Sequence, residues 1–145
     1  MSTTPGRHAV LVGVDGSSSA AAALAWAVDE ARLRGVGLTV MHVFPTMISI
    51  VGTRAHEYYP QVEQEAKATL EHALASAPAM DDLDVERTLV PGNPSEQLVD
   101  ASRAAIMLVV GASGRGRFAG MLLGSVSMHC VSQAHCPVLV IRGLD

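Results

Sequence analysis

The chain has 145 residues, of which 49% are hydrophobic, 17% charged and 3% aromatic, which is enough for one globular domain with a full core. Its formal net charge of -4 excludes a general electrostatic attraction to nucleic acid or anionic membranes, so affinity for an anion must come from a local site. No window approaches the roughly 18 consecutive apolar residues of a membrane span, and the first residues lack the pattern of a signal peptide. We therefore expect one cytoplasmic domain over residues 1–145, with residues 1–7 flexible and no nucleic-acid or membrane partner.

Five short apolar or alternating segments, each bounded by Gly, Pro or Asp, predict β-strands. Several of them are nearly continuous hydrophobic runs, which is typical of parallel strands that are buried on both faces. In chain order the predicted strands are His8–Val14, Gly37–Phe44, Leu83–Val90, Ile106–Val110 and Pro137–Ile141.

Two helices are predicted from apolar residues at helical spacing, one after each of the first two strands. Gly35 suits the end of the first helix. The second helix carries a Glu63/Lys67 pair on its polar side. The apolar positions are Leu24, Val28 and Ala31 in the first helix and Val62, Ala66, Leu70, Ala73 and Ala77 in the second.

Two further helices are predicted from signals at their N-termini. Asn93 can cap the third helix, Pro94 fits its first position, and Glu96 sits where a capping-box acid reaches back. The fourth helix is predicted from Ser125 to Ala134. Strands and helices therefore alternate, which predicts a three-layer α/β sandwich around a parallel sheet.

Open parallel sheets bind ligands beyond the carboxyl ends of their strands, where the strand order reverses. The first strand ends in Val14-Asp15-Gly16-Ser17, and the fourth ends in Val110-Gly111-Ala112-Ser113-Gly114. If these two strands are neighbours, Asp15 and the glycine segment face each other across a crevice.

The segment from Ile106 to Ser127 combines glycines, two arginines and a serine at a predicted helix start, which are the components of a phosphate site. A P-loop is excluded because the single lysine, Lys67, lies in the second helix. The glycines also lack the G-x-G-x-x-G register of a dinucleotide fold. What is present is Gly111-x-x-Gly114, nine residues, and then Gly124-Ser125.

This spacing resembles the nucleotide-binding motif of the universal stress protein family. VGVDGSSSA at residues 12–20 and LLGSVSMHCVSQAHCPVLVIRG at residues 122–143 extend the resemblance over the whole chain. It implies the fold of that family, related to the adenine nucleotide alpha hydrolases: a five-stranded parallel sheet with strand order 3-2-1-4-5 and four helices. It also implies a stress-response domain of regulatory or protective role.

The resemblance is to the family's ATP-binding branch, which implies ATP, with Mg or Mn, as ligand. It puts Gly13 and Asp15 at the nucleoside end and Val43 beside the adenine. Arg115 and Arg117 are left open between pairing with phosphate oxygens and lying solvated at the surface. The residues implied to approach the ribose and phosphates are Gly111, Gly114, Gly116, Gly124, Ser125 and Val126.

Turnover of the nucleotide is not expected, because no Asp or Glu lies between Ile106 and Met128 to hold a metal or orient an attacking water. We expect ATP binding with little or no hydrolysis and no catalytic residue. Two alternatives stay open: a low-rate ATPase or nucleotidyl transferase on the same scaffold, and an interaction module that binds another nucleotide, such as a cyclic one.

The repeated pairs His129-Cys130 and His135-Cys136 match no zinc template, so we expect no metal site and reduced, structural cysteines. His42 is expected to be a packed or partly exposed strand residue rather than a general base.

The connection from Pro45 to Glu57 is either a cover over the nucleotide or a locally packed insertion, and the resemblance favours the cover. The last strand, Val138 to Ile141, is an apolar edge that needs a partner. Members of the family commonly dimerise through this strand, which implies a homodimer with antiparallel final strands. An unknown regulatory protein partner is also compatible with the resemblance.

Overall fold

A computed structural model of the chain describes residues 8–45, 55–113 and 123–143, and for residues 55–59 only the backbone. Strands and helices alternate along the described chain, as the sequence predicts. The elements are β1 (Ala9–Gly13), α1 (Ser18–Arg34), β2 (Leu38–Phe44), α2 (Ala55–Ser76), β3 (Val85–Pro91), α3 (Pro94–Ala101), a 3-10 turn (Ser102–Ala104), β4 (Ala105–Gly111), α4 (Ser125–Gln133) and β5 (Val138–Ile141).

The five strands form one parallel sheet in the order β3-β2-β1-β4-β5, which confirms the predicted order. From β1 the chain goes first to β2 on one side and later to β4 on the other. The strand order therefore reverses at β1, and a crevice opens between the carboxyl ends of β1 and β4.

Two apolar cores, one on each face of the sheet, bury the strands and complete the three layers. On the first face α1 and α2 cover the sheet, with Leu24 and Leu70 in the core. On the second face α3 and α4 cover it, with Leu98 and Cys130 in the core. The central strands are buried on both sides, which explains their nearly continuous hydrophobic sequences.

Local signals place the helix ends where the sequence predicts them. Gly35 adopts the left-handed conformation, with φ 66°, and ends α1. Asn93 caps α3 by accepting a hydrogen bond from the backbone N–H of Glu96 at 3.1 Å. The fourth helix begins at Ser125 as predicted and ends at Gln133, one residue early.

The second helix begins earlier than predicted. It begins at Ala55, so the predicted connection Pro45–Glu57 overlaps it by three residues, and it contains Pro60. Its first seven residues precede the apolar stripe that starts at Val62, so no helical periodicity marked them. Residues 46–54 of the predicted connection lie outside the described residues. The prediction that this connection covers the nucleotide therefore stays a prediction.

Candidate functional site

The carboxyl end of β1 turns sharply into α1. The side-chain Oδ1 of Asp15 accepts a hydrogen bond from the backbone N–H of Ser17 at 2.9 Å, and Gly16 takes up a φ of 87° that favours glycine. Ser17 in turn caps α1 through its Oγ, which accepts from the N–H of Ala20 at 3.1 Å. The half-buried Asp15 is thereby fixed at the mouth of the crevice.

His42 lies on β2, beside the end of β1. Its Nδ1 lies 2.7 Å from the carbonyl oxygen of Val14, which follows the last residue of β1, and its side chain is buried. The expectation of a packed strand histidine is confirmed. This contact joins the ends of β1 and β2 next to Asp15.

Gly111, at the end of β4, lies against the backbone of α1. A Cβ at this position would lie 2.7 Å from the carbonyl carbon of Ser19 and 2.9 Å from the backbone nitrogen of Ala20. The close packing of helix on strand therefore requires glycine here, whether or not a ligand is bound. This reason for glycine is absent from the sequence-based interpretation, which assigned Gly111 to the ligand alone.

The segment after β4 and the start of α4 are joined at their bases. The N–H of Gly124 donates to the carbonyl oxygen of Ala112 at 2.6 Å. The buried hydroxyl of Ser127 lies 2.8 Å from the same oxygen and 3.1 Å from the carbonyl oxygen of Gly124. These contacts close the ends of the glycine segment, whose middle, residues 114–122, lies outside the described residues.

Ser19 of α1 makes a second set of contacts at this place. Its hydroxyl lies 3.4 Å from the carbonyl oxygen of Ile141, at the end of β5, and 3.4 Å from the backbone nitrogen of Ser113, whose N–H donates to it. Both Ser19 and Ser127 are buried serines that sequence reasoning missed. A serine on the apolar face of a predicted helix is the signal that marks such residues.

The N-terminus of α4 differs from those of α1 and α3. Gly124 is its N-cap, and no side chain among the described residues caps the helix. Ser125, its first residue, is exposed. Backbone N–H groups in the first turn of a helix carry partial positive charge, and where no described side chain caps them they favour an anion.

These elements surround a cavity of about 550 Å³ at the carboxyl ends of β1, β2 and β4. Gly114, Arg115, Gly116 and Arg117, the other predicted site residues, lie outside the described residues. The predicted residues that line the cavity are Gly13, Asp15, Val43, Gly111, Gly124, Ser125 and Val126.

Several residues that the sequence-based interpretation did not assign to the site also line the cavity. His42 and Phe44 come from β2, and Glu65 and Thr69 come from α2. Glu65 is a second acid beside Asp15, whereas the sequence pointed to Asp15 alone. The approach of α2 to the carboxyl end of β2 brings it there.

The two cysteines are free thiols and are not among the residues that line the cavity. Burial raises the pKa of Cys130 to about 11, with a smaller contribution from Cys136, whose own pKa burial also raises. Both thiols are therefore protonated at neutral pH, which disfavours metal binding or nucleophilic chemistry. In the part of the chain that the structure describes, no helix has the length and apolar character needed to cross a membrane.

Comparison with protein families gives one match over nearly the whole chain. A model of the universal stress protein family matches residues 6–142. A universal stress protein of Mycobacterium tuberculosis is 38% identical over 154 aligned positions, which cover 100% of this chain and 51% of that protein. The chain thus spans about half the length of the curated relatives it matches.

Solved structures of similar proteins share the fold. A universal stress protein from Archaeoglobus fulgidus is 30% identical, with a TM-score of 0.71 over 92% of this chain and 98% of that one. A universal stress protein in complex with cAMP is 27% identical, with a TM-score of 0.61 over 94% and 97%. A universal stress protein from Archaeoglobus fulgidus in complex with dAMP is 25% identical, with a TM-score of 0.58 over 92% and 97%.

Proposed function

Because the chain belongs to the universal stress protein family, we propose that it binds ATP in the cavity at the carboxyl ends of β1, β2 and β4. The observation that carries the proposal is the pairing, on one cavity, of the Asp15 carboxylate and the N-terminus of α4. In this proposal the protein is a cytoplasmic, nucleotide-responsive stress-response domain that acts on a regulatory protein partner.

The size and polarity of the cavity support a nucleotide. Its volume of about 550 Å³ lies within the usual range for small-molecule and cofactor sites. Asp15 offers carboxylate oxygens to the hydroxyls of a ribose or the amino group of a base, beside the apolar side chain of Val43. Phosphates would then lie at Gly124 and Ser125, where α4 begins.

The rest of the glycine segment belongs to the same proposal. Gly114 and Gly116 would let the backbone approach phosphate oxygens, and Arg115 and Arg117 would pair with them. Mg²⁺ or Mn²⁺ would accompany the nucleotide through its own phosphate oxygens. In the described part of the chain no three His, Cys, Asp or Glu side chains come together to hold such an ion.

Complexes of similar proteins with cAMP and dAMP support adenine nucleotides as the ligand class. They also support the second candidate, an interaction module that responds to a cyclic nucleotide. The second acid of the cavity, Glu65, supports the third, a slow ATPase, because a carboxylate can hold or orient a water molecule.

The first experiment identifies the ligand. The purified protein is denatured, any released nucleotide is identified by chromatography, and the refolded or nucleotide-free protein is titrated calorimetrically with ATP, AMP and cAMP, with Mg²⁺ and with EDTA. Tightest binding of ATP is the expected result. Tighter binding of cAMP would favour the second candidate, and no binding of any nucleotide would refute the proposal.

The variant Asp15→Asn tests the proposed contact between the Asp15 carboxylate and the ligand. Asparagine keeps the Oδ1 that accepts from Ser17 and removes the charge, so the turn stays and the ligand contact weakens. We expect ATP affinity to fall roughly tenfold, as for a hydrogen bond to a charged group. Asp29→Asn, on the exposed side of α1, is the control and should bind ATP normally.

Hydrolysis is tested separately by phosphate release over many turnovers. We expect turnover far below about 1 per second, the lower end of typical enzyme rates. Faster turnover that is lost in Glu65→Gln and kept in Glu63→Gln, an exposed neighbour on α2, would instead establish an ATPase.

We also propose a homodimer through β5. β5 is an apolar edge strand, and an unpaired edge invites pairing with another chain. The two helices that contact β5 carry exposed apolar side chains: Met128 and Val131 on α4, and Trp26 on α1. Trp26 lies two helical turns after Ser19, which contacts the end of β5, so both lie on the same side of α1.

Sedimentation tests this interface. The unmodified chain should sediment as a dimer, and the double change Met128→Glu with Val131→Glu should yield a monomer because it buries charge at the interface. Gln64→Glu, exposed on α2 above β2, is the control and should remain dimeric. A monomer at every concentration of the unmodified chain would refute the dimer.

A further inference from the structure

His42 is a buried ring on the wall of the cavity to which neither the family motif nor the comparisons give a role. It lies on β2 directly before Val43, and it contacts Val14, the residue before Asp15. The contact with Val14 places the ring beside the Asp15 turn, where the nucleoside is proposed to lie, whereas the side chain of Val43 points to the opposite face of the sheet.

The contact with Val14 determines which ring nitrogen carries the proton. A carbonyl oxygen only accepts hydrogen bonds, so at 2.7 Å the Nδ1 of His42 must donate its proton to the Val14 oxygen. In the tautomer whose one N–H lies at Nδ1, the Nε2 atom is a hydrogen-bond acceptor.

His42 lines the cavity and keeps a small accessible surface. Within the described residues, Nδ1 is the one atom of His42 with a hydrogen-bond partner, and no fully buried side-chain nitrogen or oxygen lacks a partner. Nε2 is therefore not sealed in the core. Because His42 lines the cavity, the surface that Nε2 keeps is available to a ligand there.

We infer that the Nε2 of His42 accepts a hydrogen bond from an N–H or O–H donor on the nucleoside part of the ligand, and so selects for ligands that carry that donor. The inference rests on the proposed function. A ligand without the donor would leave the nearly buried Nε2 without a hydrogen bond, which lowers the affinity. In a water-filled site a water molecule would replace the donor, and the affinity would not fall. The donor is either the exocyclic amino group of adenine or a ribose hydroxyl.

Four ligands separate these sources. ATP carries all the donors, purine riboside triphosphate lacks the amino group, and 2′-deoxy-ATP and 3′-deoxy-ATP each lack one hydroxyl. The unmodified protein should bind one of the three analogues roughly three- to tenfold more weakly than ATP through loss of this bond. The identity of that analogue names the donor.

Two substitutions isolate Nε2 from the contact with Val14. His42→Asn can place its amide nitrogen where Nδ1 lies, so it keeps the bond to Val14 and has no group at the position of Nε2. His42→Gln can place its amide oxygen near the position of Nε2 and gives up the bond to Val14. Thermal unfolding of both variants shows whether each is folded before its binding is measured.

His42→Asn should bind ATP roughly three- to tenfold more weakly and should no longer distinguish ATP from the discriminating analogue. His42→Gln should still distinguish them. A purely structural histidine would give the reverse, with discrimination kept in His42→Asn, and that result would overturn the inference. If His42→Asn does not fold, loss of discrimination in His42→Gln overturns it.

Binding of the three analogues to the unmodified protein gives two further outcomes. Binding of all three analogues within about twofold of ATP would overturn the role of His42 and leave nucleotide binding intact. Binding of no nucleotide would refute the proposed function first and this inference with it.

Discussion

The two sides of the cavity are built by different means. On the strand side, formed by Gly13–Asp15 and His42, the sheet ladder, the bond of His42 to Val14 and the turn at Asp15 fix the groups. On the loop side, formed by Gly111–Ser113 and Gly124–Ser127, hydroxyls of Ser19 and Ser127 hold backbone that has left the sheet. Gly13 on the strand side and Gly111 on the loop side therefore serve different physical needs, although the resemblance assigns both to the ligand.

We expect the largest difference in the free energy of unfolding between Gly111→Ala and Gly13→Ala. The new Cβ at 111 meets the backbone of α1 at 2.7 and 2.9 Å, whereas at 13 it meets the side chain of Leu98, which can move. We expect Gly111→Ala to lower the free energy of unfolding by about 2–3 kcal/mol and Gly13→Ala by less than about 1 kcal/mol. Urea unfolding measures both.

The same pair has an internal check. Equal losses in the two single variants would contradict the distinction between the two sides.

A smaller effect should follow from opening the base of the loop side. Ser127→Ala removes a buried hydroxyl from the carbonyl oxygens of Ala112 and Gly124. We expect a loss of about 1–2 kcal/mol in unfolding free energy, together with weaker ATP binding, because the start of α4 is no longer held. Ser132→Ala, exposed on the same helix, should change the free energy by less than about 0.5 kcal/mol.

Two helix caps give a matched comparison of stability with binding. Ser17→Ala and Asn93→Ala each remove a side-chain cap, and each should cost about 1 kcal/mol of unfolding free energy. Ser17 lines the cavity and Asn93 does not, so only Ser17→Ala should weaken ATP binding in calorimetry. Equal binding losses would show that ATP affinity follows the stability of the fold and does not depend on the position of Ser17 at the cavity.

The smallest expected effect concerns the ion pair of Arg32 and Asp82, which belongs to neither side of the cavity. The hydrogen bond from Arg32 lowers the pKa of the exposed Asp82 from its ordinary value of 3.8 to about 2. Because the pKa in the folded protein is the lower one, the stabilisation is present above pH 4 and is lost as the pH falls from about 4 towards 2. Melting temperatures of the unmodified protein and Arg32→Ala should therefore converge over that interval, with ATP binding at neutral pH unchanged.

Sequence reasoning succeeded where the signal is local. Gly35 and Asn93 act within one helical turn of themselves, and their residue types predict the ends that the structure has. The strand order was predicted only through the resemblance to a known family, because nothing in the sequence of β1 indicates that β4 is its neighbour. The early start of α2 had no periodic marker, so it was missed.

The site was predicted only in part for a related reason. Contacts between Ser19 and Ile141 and between Ser19 and Ser113 join residues 122 and 94 positions apart. The place of Ser19 on an apolar helix face could mark it as buried, but nothing near it in sequence identifies these partners. Glu65 comes to the cavity through the packing of α2 on β2, and the role of Gly111 in packing depends on how closely α1 approaches. Each of these follows from three-dimensional packing rather than from residue type or spacing.

The contacts of the Ile141 carbonyl oxygen couple the opening of β5 to the start of the glycine segment. This oxygen receives the N–H of Ala112 at 2.7 Å and lies near the hydroxyl of Ser19, so the outermost strand and the start of the glycine segment are anchored to one atom. Peeling β5 from the sheet would release the Ala112 amide to solvent while β1 and β2 stayed closed. In hydrogen exchange, the protection of this amide should therefore rise and fall with β5 and not with the centre of the sheet.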